Sequence, residues 1–392
     1  MRTSCPNCGA EGLETVYEVE DIPVHSCILV PTRQEALQFP KGNLSLGWCG
    51  ECGFSTNQRF DVANNDYNPQ YEEVQTFSPT FNAFQSSLID RLIEKRGLRD
   101  KSVVEIGCGK GEFLMELCER GDNRGYGIDP SFRPGRGDWQ PKGDVQFFAE
   151  LYDAQKHGAL EADAIVCRHT LEHIHETRQF LETVRESLGD RRDVLVFFEL
   201  PDQERVYDER AFWDIYYEHC TYFTDGALER LFLSCGFDVM ASWKGFGDQY
   251  LLIEARPVGK DEEPGFHVVQ DLDQMTRRVR AFARDVRGVV EGWRKRFVDW
   301  HTEGKKTVIW GAGSKGVSFL TTLGLHDEVH AAVDINPHKQ GYFMPGTGHE
   351  VLGPEDLVEL GVDVVVVMNP IYVDEIRNQL EGLGLRPEIV GA

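Results

Sequence analysis

The chain has 392 residues, which is long enough for two or three domains that each bury a core. Its formal net charge of −24 disfavours nucleic acid and anionic membranes as partners, because such a chain repels polyanions. It has no run of about 18 apolar residues and no apolar signal region at the N-terminus, so we expect a cytoplasmic protein without a membrane partner. A small anionic ligand in a local basic pocket is compatible with this charge.

Four of the ten cysteines form two pairs with Cys-x-x-Cys spacing, at Cys5, Cys8, Cys49 and Cys52. A glycine follows each pair and allows a tight turn, and two such turns make a tetrahedral four-sulfur site. We therefore predict a small zinc-binding domain over residues 1–60, in which the closed site has a structural role. A pair of redox disulfides is the alternative. Cys27, between the pairs, is expected to be a small buried apolar residue.

Strands and helices alternate through residues 61–256. A helix is predicted from Ser78 to Gly97. Apolar strands follow at 102–106, 126–129, 164–167 and 194–198. This alternation is typical of a doubly wound, mostly parallel α/β sheet that is covered by helices on both faces.

The first of these strands runs into a glycine-rich turn, called here the first glycine loop (residues 107–111). Gly107 and Gly109 let the backbone approach a ligand closely, and Gly111 allows tight helix packing. The spacing is shorter than that of a pyrophosphate loop. Asp129 ends the next strand, where a carboxylate can bind ribose hydroxyls. Glu105, beneath the loop, disfavours a pyrophosphate but tolerates a sulfonium and an amino group.

This stretch resembles motif I of the class I S-adenosylmethionine-dependent methyltransferases. The resemblance implies that the three glycines contact the methionine part of the cofactor and that Asp129 binds its ribose. It also places Phe148 and Glu150 where the family has its adenine contacts. For Glu150, a solvated loop acid is the alternative.

Two histidine-rich stretches follow the third and fourth strands, at residues 168–173 and 216–223. Residues after the carboxyl ends of parallel strands face the ligand crevice. We therefore expect His169, His173 and His219 to meet above the cofactor. A histidine beside Glu218 can remove a proton near neutral pH. The alternative is that each histidine is a structural residue.

Residues 257–392 form a third predicted unit. A linker at 257–266 leads into a long amphipathic helix from Val268 to Trp300. Strands are predicted at 307–310, 331–334 and 364–368. The unit is therefore expected to be a smaller Rossmann-like α/β domain.

The first strand of this unit ends in a Gly-x-Gly-x-x-Gly turn, called here the second glycine loop (residues 311–316). Gly311 and Gly313 open the turn, and Asp334 ends the next strand, as in a dinucleotide site. Three interpretations compete: a bound NAD, a purely structural domain, or a site for the diphosphate of a nucleotide-linked substrate. In the last case Lys315, Lys339 and the helix N-terminus could offset the phosphate charge.

The order of these features resembles the zinc-containing sugar C-methyltransferases of deoxysugar biosynthesis. The resemblance rests on the cysteine pairs, the first glycine loop, Tyr-x-Glu-His at 216–219, and the segments 333–341 and 345–347. It implies three domains: a zinc-binding domain (1–60), a methyltransferase domain (61–256) and a substrate-nucleotide domain (257–392). It further implies S-adenosylmethionine and structural Zn²⁺ as cofactors, and a nucleotide-linked 4-keto-deoxysugar as the substrate, methylated at C3 through an enolate.

The catalytic roles implied by this resemblance are His219 as the general base, Tyr216 and Glu218 beside it, and His173 near the ketone or enolate oxygen. His169 occupies a position where better-known members have Asn. Tyr71 is assigned to the substrate side, with Tyr67 as its competitor. The chain departs from the family at 246–251, where a His-Gly-Gly-Ser segment is replaced by Phe-Gly-Asp-Gln-Tyr-Leu. The exact sugar and the site of methylation therefore stay open.

Other classes of function compete with this interpretation. An O- or N-methyltransferase could use the same histidine to deprotonate a hydroxyl on another small molecule. A zinc-ribbon interaction protein with degenerate cofactor folds, and an NAD enzyme, are further alternatives. Nucleic acid is not expected as a partner, because acidic residues outnumber basic ones in residues 1–60. We expect a monomer or a small homo-oligomer.

Overall fold

A computed structural model describes residues 1–64, 70–133, 144–259, 262, 264–265 and 268–392. Tyr67, the competitor of Tyr71, lies outside the described residues. The strands of the described part are β1 (Glu14–Pro23), β2 (Lys41–Cys49), β3 (Phe54–Asn57), β4 (Ser102–Ile106), β5 (Arg124–Ile128), β6 (Val145–Phe148), β7 (Ala164–Arg168), β8 (Leu195–Pro201), β9 (Thr221–Phe223), β10 (Phe237–Gly245), β11 (Tyr250–Pro257), β12 (Thr307–Trp310), β13 (Ala331–Val333), β14 (Val351–Leu352), β15 (Val364–Val367) and β16 (Glu388–Gly391).

The α-helices of the described part are α1 (Arg33–Leu37), α2 (Pro79–Asp90), α3 (Glu112–Gly121), α4 (Ala154–His157), α5 (Thr177–Leu188), α6 (Gln203–Glu209), α7 (Asp225–Ser234), α8 (Leu272–Thr302), α9 (Ser314–Leu323), α10 (Asp356–Leu360) and α11 (Val373–Gly382). None of them combines the length and apolar character needed to cross a lipid bilayer. The strands assort into three sheets of four, seven and five strands.

The seven-stranded sheet has the order β10-β11-β8-β7-β4-β5-β6, in which only β11 runs antiparallel to its neighbours. All five residues of β7 are buried, as expected for a central strand with helices on both faces. The predicted doubly wound α/β class is therefore confirmed. The strand order reverses between β4 and β7, and a crevice forms outside the carboxyl ends of these strands.

The helix predicted from Ser78 to Gly97 begins at the predicted position, because Ser78 and Pro79 both favour a helix start. The Ser78 hydroxyl accepts a hydrogen bond from the Phe81 N–H at 3.2 Å, and Pro79 occupies the first helical position. After Asp90 the helix continues as a π-helical segment, Arg91–Lys95. It stops before Gly97, whose φ of +71° suits a helix end.

The five-stranded sheet is parallel, with the order β14-β13-β12-β15-β16. The long helix α8 precedes it and is capped by Asp271, whose carboxylate accepts from the Gln274 N–H at 3.0 Å. The buried face of α8 contacts both the N-terminal four-stranded sheet and helix α9 of the C-terminal unit. Its Phe282 ring lies 5.9 Å from that of Tyr17 in β1, and its Phe297 ring lies 5.9 Å from that of Phe319 in α9. The helix thereby joins the N-terminal and C-terminal sheets through one core.

The four-stranded sheet has the order β1-β2-β3-β9 and is antiparallel. The cysteine spacing predicts a zinc-binding domain over residues 1–60 but does not predict this sheet. Its last strand, β9, comes from the middle of the chain, with Thr56 paired to Thr221 and Phe54 to Phe223. Because β9 directly follows the stretch that carries His219, the N-terminal sheet positions that stretch.

Candidate active site

One cavity of about 750 Å³ opens at the carboxyl ends of β4, β5, β7 and β12. It is lined by the first glycine loop, the second glycine loop and both histidine-rich stretches. A volume of this size suits one or more small-molecule ligands. Of the predicted ligand and catalytic residues outside the cysteine pairs, Gly111, Phe148 and Glu218 do not line it.

The first glycine loop needs glycine for reasons of space. Gly107 has φ +73°, and a Cβ atom there would lie 1.8 Å from the Thr170 hydroxyl oxygen. Gly111 has φ +90°, and its Cβ would lie 2.5 Å from the Phe147 ring. Gly111 therefore packs against Phe147 and Gly107 against Thr170, and neither position has room for a side chain.

Two acidic side chains give this end of the cavity its character. Both carboxylate oxygens of Asp129 accept backbone hydrogen bonds, from Gly109 at 2.9 Å and from Ser131 at 2.6 Å. Glu105 is buried, and its Oε2 atom has no hydrogen-bond partner among the described residues. Burial raises the pKa of Glu105 to about 8. A bare glycine cradle above a buried acid fits a cationic ligand better than a pyrophosphate.

The loop after β6 lies beside this cradle, but its residues differ in orientation. Glu150 lines the cavity, and its Oε1 atom lies 2.9 Å from His157 Nε2. Phe148 instead packs inward, with its ring 5.5 Å from the His157 ring. Leu151 and Tyr152 line the cavity. The prediction that Phe148 contacts the adenine is corrected accordingly: its side chain does not line the cavity.

Sequence reasoning missed Glu73, which reaches over the first glycine loop from the segment before α2. Its Oε1 atom lies 2.7 Å from the position that a Cβ on Gly109 would take, and its Oε2 atom lies 3.7 Å from Lys110 Nζ. Withdrawal from solvent raises the pKa of Glu73 to about 7. A single acid in an irregular segment gives no periodic signal, so the sequence alone could not identify it.

His219 and His173 meet in the cavity as predicted. Their rings lie 4.6 Å apart and nearly perpendicular, and the Tyr216 ring lies 4.1 Å from that of His219. Burial lowers the pKa of His219 well below its usual value, so its imidazole is neutral at physiological pH. His173 Nδ1 lies 3.2 Å from the Glu218 carbonyl oxygen. Because a carbonyl only accepts, Nδ1 carries the proton and Nε2 carries the lone pair.

The Glu218 side chain points in a different direction from the one predicted. Its carboxylate points away from the cavity and accepts from the Ser26 N–H at 3.1 Å, and its Oε2 atom lies 3.0 Å from His25 Nδ1. The Ser26 hydroxyl also donates to it. Glu218 lies in a turn at residues 217–218, and its side chain and that of His219 have different neighbours. Glu218 therefore anchors the segment that carries His219, and does not lie beside it in the cavity.

His169 lines the cavity as a charged group. Its Nε2 atom lies 3.1 Å from Glu199 and its Nδ1 atom 3.6 Å from Glu172. Burial lowers the pKa of His169, but these carboxylates outweigh that effect and raise it to about 9. His169 has φ +46°, a conformation that is uncommon outside glycine and that here lies at the end of β7.

Tyr71 lines the cavity from the N-terminal side and is buried against Cys27 and Ile28. Cys27 is buried as predicted, and its Sγ atom lies 3.1 Å from the Ser314 hydroxyl oxygen. Burial raises the pKa of Cys27 to about 11, so it remains a thiol. The N-terminal segment therefore closes one wall of the cavity.

The second glycine loop lies at the other end of the cavity, with both predicted lysines beside it. The Ala312 N–H donates to Asp334 at 3.0 Å, and Lys339 Nζ donates to the same carboxylate at 3.2 Å. Lys315 Nζ donates to Asp214 at 3.0 Å. Arg205, which sequence reasoning missed, also pairs with Asp214 and lines the cavity. Arg205 also pairs with Glu209, so these three cations face three carboxylates and the set carries no excess charge.

Lys315 also contacts the segment 246–251, where the chain departs from the resembled family. Gln249 accepts from Lys315 Nζ at 3.1 Å and donates to Asn369 Oδ1 at 2.8 Å. Phe246 stacks on Tyr250, with ring centroids 5.1 Å apart. The departure therefore alters the wall of the cavity next to Lys315.

The four paired cysteines lie together, away from the cavity. All four Sγ atoms lie within 4.8 Å of one another, with Cys5 to Cys52 and Cys8 to Cys49 each at 3.7 Å. In a tetrahedral site with Zn–S bonds of about 2.3 Å, the sulfur atoms are about 3.8 Å apart. The four side chains therefore fit a Zn²⁺ ion.

Comparison with known proteins agrees with this geometry. Residues 80–242 match a family model described as a methyltransferase domain, and residues 269–385 match one described as a C-methyltransferase C-terminal domain. The C-methyltransferase NovU of Streptomyces niveus is 29% identical over 333 residues, which cover 78% of this chain and 75% of that protein.

Solved structures show more distant similarity. The magnesium protoporphyrin IX methyltransferase of Synechocystis PCC 6803, with bound S-adenosylhomocysteine, is 16% identical; the match covers 45% of this chain and 84% of that one, with a TM-score of 0.36. An S-adenosylmethionine-dependent methyltransferase of Aquifex aeolicus is also 16% identical, with coverage of 47% and 96% and a TM-score of 0.36.

The chain is thus an enzyme, an S-adenosylmethionine-dependent methyltransferase with the class I α/β fold. Its C-terminal residues match a C-methyltransferase C-terminal domain, and the chain is similar to the C-methyltransferase NovU. The predicted enzyme class and the predicted cofactor S-adenosylmethionine are confirmed, and the alternative of an interaction protein without catalysis is wrong.

Proposed function

We propose that the enzyme methylates the carbon next to the ketone of a nucleotide-linked keto-deoxysugar, through an enolate. The observation that carries this proposal is that His219 lines a single cavity together with the first and second glycine loops. A methyl donor on one loop and a nucleotide on the other would both reach that histidine. The similarity to a C-methyltransferase supports transfer to carbon.

His219 is assigned as the general base. A ketone acidifies the neighbouring C–H bond, and the neutral His219 imidazole accepts that proton to leave an enolate. The enolate carbon then forms the new C–C bond as the C–S bond of the methyl donor breaks. Tyr216 packs against the base, and His173 is assigned to the oxygen side of the substrate.

The first glycine loop is assigned to S-adenosylmethionine, which supplies the methyl group when bound. Gly107 and Gly109 face its methionine part, and Gly111 supports them from behind. Asp129 keeps lone pairs for the ribose hydroxyls beside its two backbone hydrogen bonds. Glu105 gives up its proton when the cationic ligand arrives. Glu150, with Leu151 and Tyr152 in place of Phe148, is assigned to the adenine.

The second glycine loop is assigned to the diphosphate of the substrate. Gly311 and Gly313 lead into α9, whose N-terminus favours an anion. Lys315 and Lys339 would turn from their carboxylate partners to the phosphates, with Asp334 holding the loop backbone. Tyr71 is assigned to the sugar.

The N-terminal segment is assigned a structural Zn²⁺ ion held by Cys5, Cys8, Cys49 and Cys52. We keep the division into zinc-binding (1–60), methyltransferase (61–256) and substrate-nucleotide (257–392) domains as part of the proposal. Strand β9 then belongs to the methyltransferase domain by sequence and to the zinc domain's sheet by pairing.

Proton exchange tests the assigned step. The enzyme is incubated in heavy water with S-adenosylhomocysteine and nucleotide-linked keto-deoxysugars, so that the enolate can form without methyl transfer. We expect deuterium to replace the proton on the carbon next to the ketone. Mass spectrometry and NMR measure this uptake. His219→Ala should abolish this uptake and lower methyl transfer by ~100-fold or more, with cofactor affinity unchanged.

His301→Ala, on the exposed side of α8, is the control and should leave exchange and turnover as they are. Near-normal turnover of His219→Ala would remove this residue as the base. Methyl transfer without exchange in the wild-type enzyme would instead favour an O- or N-methyltransferase.

A further inference from the structure

A second group of potential metal ligands lies in the cavity, distinct from the cysteine cluster. Glu172, His173 and His219 bring one carboxylate oxygen and two imidazole nitrogens within 4.8 Å of one another. Glu172 and His173 belong to the turn after β7, and His219 to the segment before β9. All three side chains line the cavity.

One carboxylate oxygen of Glu172 supplies independent support for a cation at this position. The residue is only 2% exposed, and its Oε2 atom has no hydrogen-bond partner among the described residues. An unpaired carboxylate oxygen that is withdrawn from water carries a large desolvation cost. A cation in the cavity would remove that cost.

The surroundings of His173 match those of a metal-binding histidine. Its Nδ1–H donates to the Glu218 carbonyl oxygen at 3.2 Å, which leaves the lone pair on Nε2. Metal-ligating histidines commonly donate their other N–H to a backbone carbonyl in this way. That carbonyl is fixed in turn, since the Glu218 carboxylate is anchored to Ser26 and His25.

We propose that Glu172, His173 and His219 bind one divalent transition-metal ion, and that this ion competes with proton transfer by His219. Two imidazoles and a carboxylate suit ions such as Zn²⁺ and leave coordination positions open towards the cavity. The lone pair of His219 that would hold the ion is the one that would accept the substrate proton. The effect on turnover rests on the proposed function, whereas ion binding does not.

Metal stoichiometry tests the site without reference to activity. The full-length protein is equilibrated with Zn²⁺, freed of loosely bound ion by gel filtration, and measured by elemental mass spectrometry. We expect two equivalents in the wild type, one for the cysteines and one for this site. Glu172→Gln and His173→Ala should each retain one equivalent. His175→Ala and Glu176→Gln, in the same turn but outside the group, should retain two.

Turnover measured with and without the second equivalent tests the competition. We expect added Zn²⁺ to inhibit the wild type and to have a smaller relative effect on Glu172→Gln. A single equivalent in the wild type, or two equivalents in both Glu172→Gln and His173→Ala, would overturn the site. Activation by the second ion would overturn the competition and also His219 as the base. Failure of the exchange experiment alone would leave the stoichiometry untouched.

Discussion

Glu105, a buried side chain in β4, makes the stability of the folded chain depend on pH. Burial raises its pKa from 4.5 to about 8, so between these values the folded chain holds a proton that the unfolded chain has released. The contribution of Glu105 to the free energy of unfolding therefore has its largest value at low pH, where the carboxyl group is protonated in both states. It falls by at most about 1.4 kcal/mol per pH unit as the pH rises through this window.

The Glu105→Gln variant should flatten that fall in the ligand-free enzyme, because its amide does not titrate. Urea unfolding at several pH values between about 5 and 8 measures the difference from the wild type. Glu359→Gln, at an exposed acid in α10, is the control. Equal pH dependence in wild type and Glu105→Gln would show that the Glu105 carboxyl group does not titrate as described.

Motif spacing predicts which residues form the candidate site, but it does not predict the direction of every side chain. Glycines, cysteines and histidines were identified from motif spacing, since their chemistry demands those residue types. The direction of a side chain in an irregular segment has no such signal. Glu218 turns to Ser26, Phe148 packs inward, and Glu73 reaches the first glycine loop from a segment without periodicity. These contacts depend on tertiary structure.

At the scale of elements, the first glycine loop offers a matched test of close approach. Gly107 and Gly97 have similar φ values, +73° and +71°, so alanine strains the backbone equally at both. A Cβ at Gly107 would collide with Thr170, whereas a Cβ at Gly97 meets nothing within 4 Å. We expect Gly107→Ala to weaken S-adenosylmethionine binding by ~10-fold or more.

Isothermal titration calorimetry measures this affinity, and Gly97→Ala should bind as the wild type does despite losing about 1 kcal/mol of stability. Wild-type affinity in both variants would mean that the loop does not contact the cofactor. A loss in both would point to general destabilisation.

The second glycine loop is tested through its lysines. Lys339→Met removes one of the three cations at this end of the cavity, so we expect KM for the nucleotide-linked substrate to rise by ~10-fold or more. The affinity for S-adenosylmethionine should stay the same, because that cofactor is assigned to the other end. Lys306→Met, on the surface of the same domain, is the control. An unchanged KM would assign the loop a structural role.

Element types were predictable where the pattern is local. The apolar runs that end in glycine predicted β4 and β12, and the 3.6-residue period predicted α8 to within a few residues. Strand β6 lies at the sheet edge, has only the four residues Val145–Phe148 and has no fully buried residue, so its apolar run is too short to predict a strand. The pairing of β3 with β9 joins distant parts of the chain, and the sequence of neither segment indicates its partner.

In the whole molecule, the pairing of β3 with β9 connects the cysteine cluster to the segment that carries His219. Cys49 ends β2, which pairs with β3, and β3 pairs with β9 just after His219. Cys49→Ser should therefore lose the structural Zn²⁺ ion, lower the free energy of unfolding by several kcal/mol and reduce turnover. Elemental analysis, urea unfolding and a methyl-transfer assay measure the three effects.

Cys235→Ser, at a buried cysteine outside the cluster, serves as the control and should keep its metal content. If Cys49→Ser retains the same zinc content as the wild type, the cysteines do not hold the ion. If the ion is lost while turnover is unchanged, the cluster does not position the catalytic segment.

The central claim is that the methyl group is delivered to carbon. The enzyme is supplied with S-adenosylmethionine that carries an isotopically labelled methyl carbon, together with a nucleotide-linked keto-deoxysugar, and the product is examined by two-dimensional NMR. We expect the labelled methyl carbon to be bonded to the ring carbon next to the ketone, which has lost a proton. A labelled methyl group bonded to oxygen or nitrogen would contradict the claim.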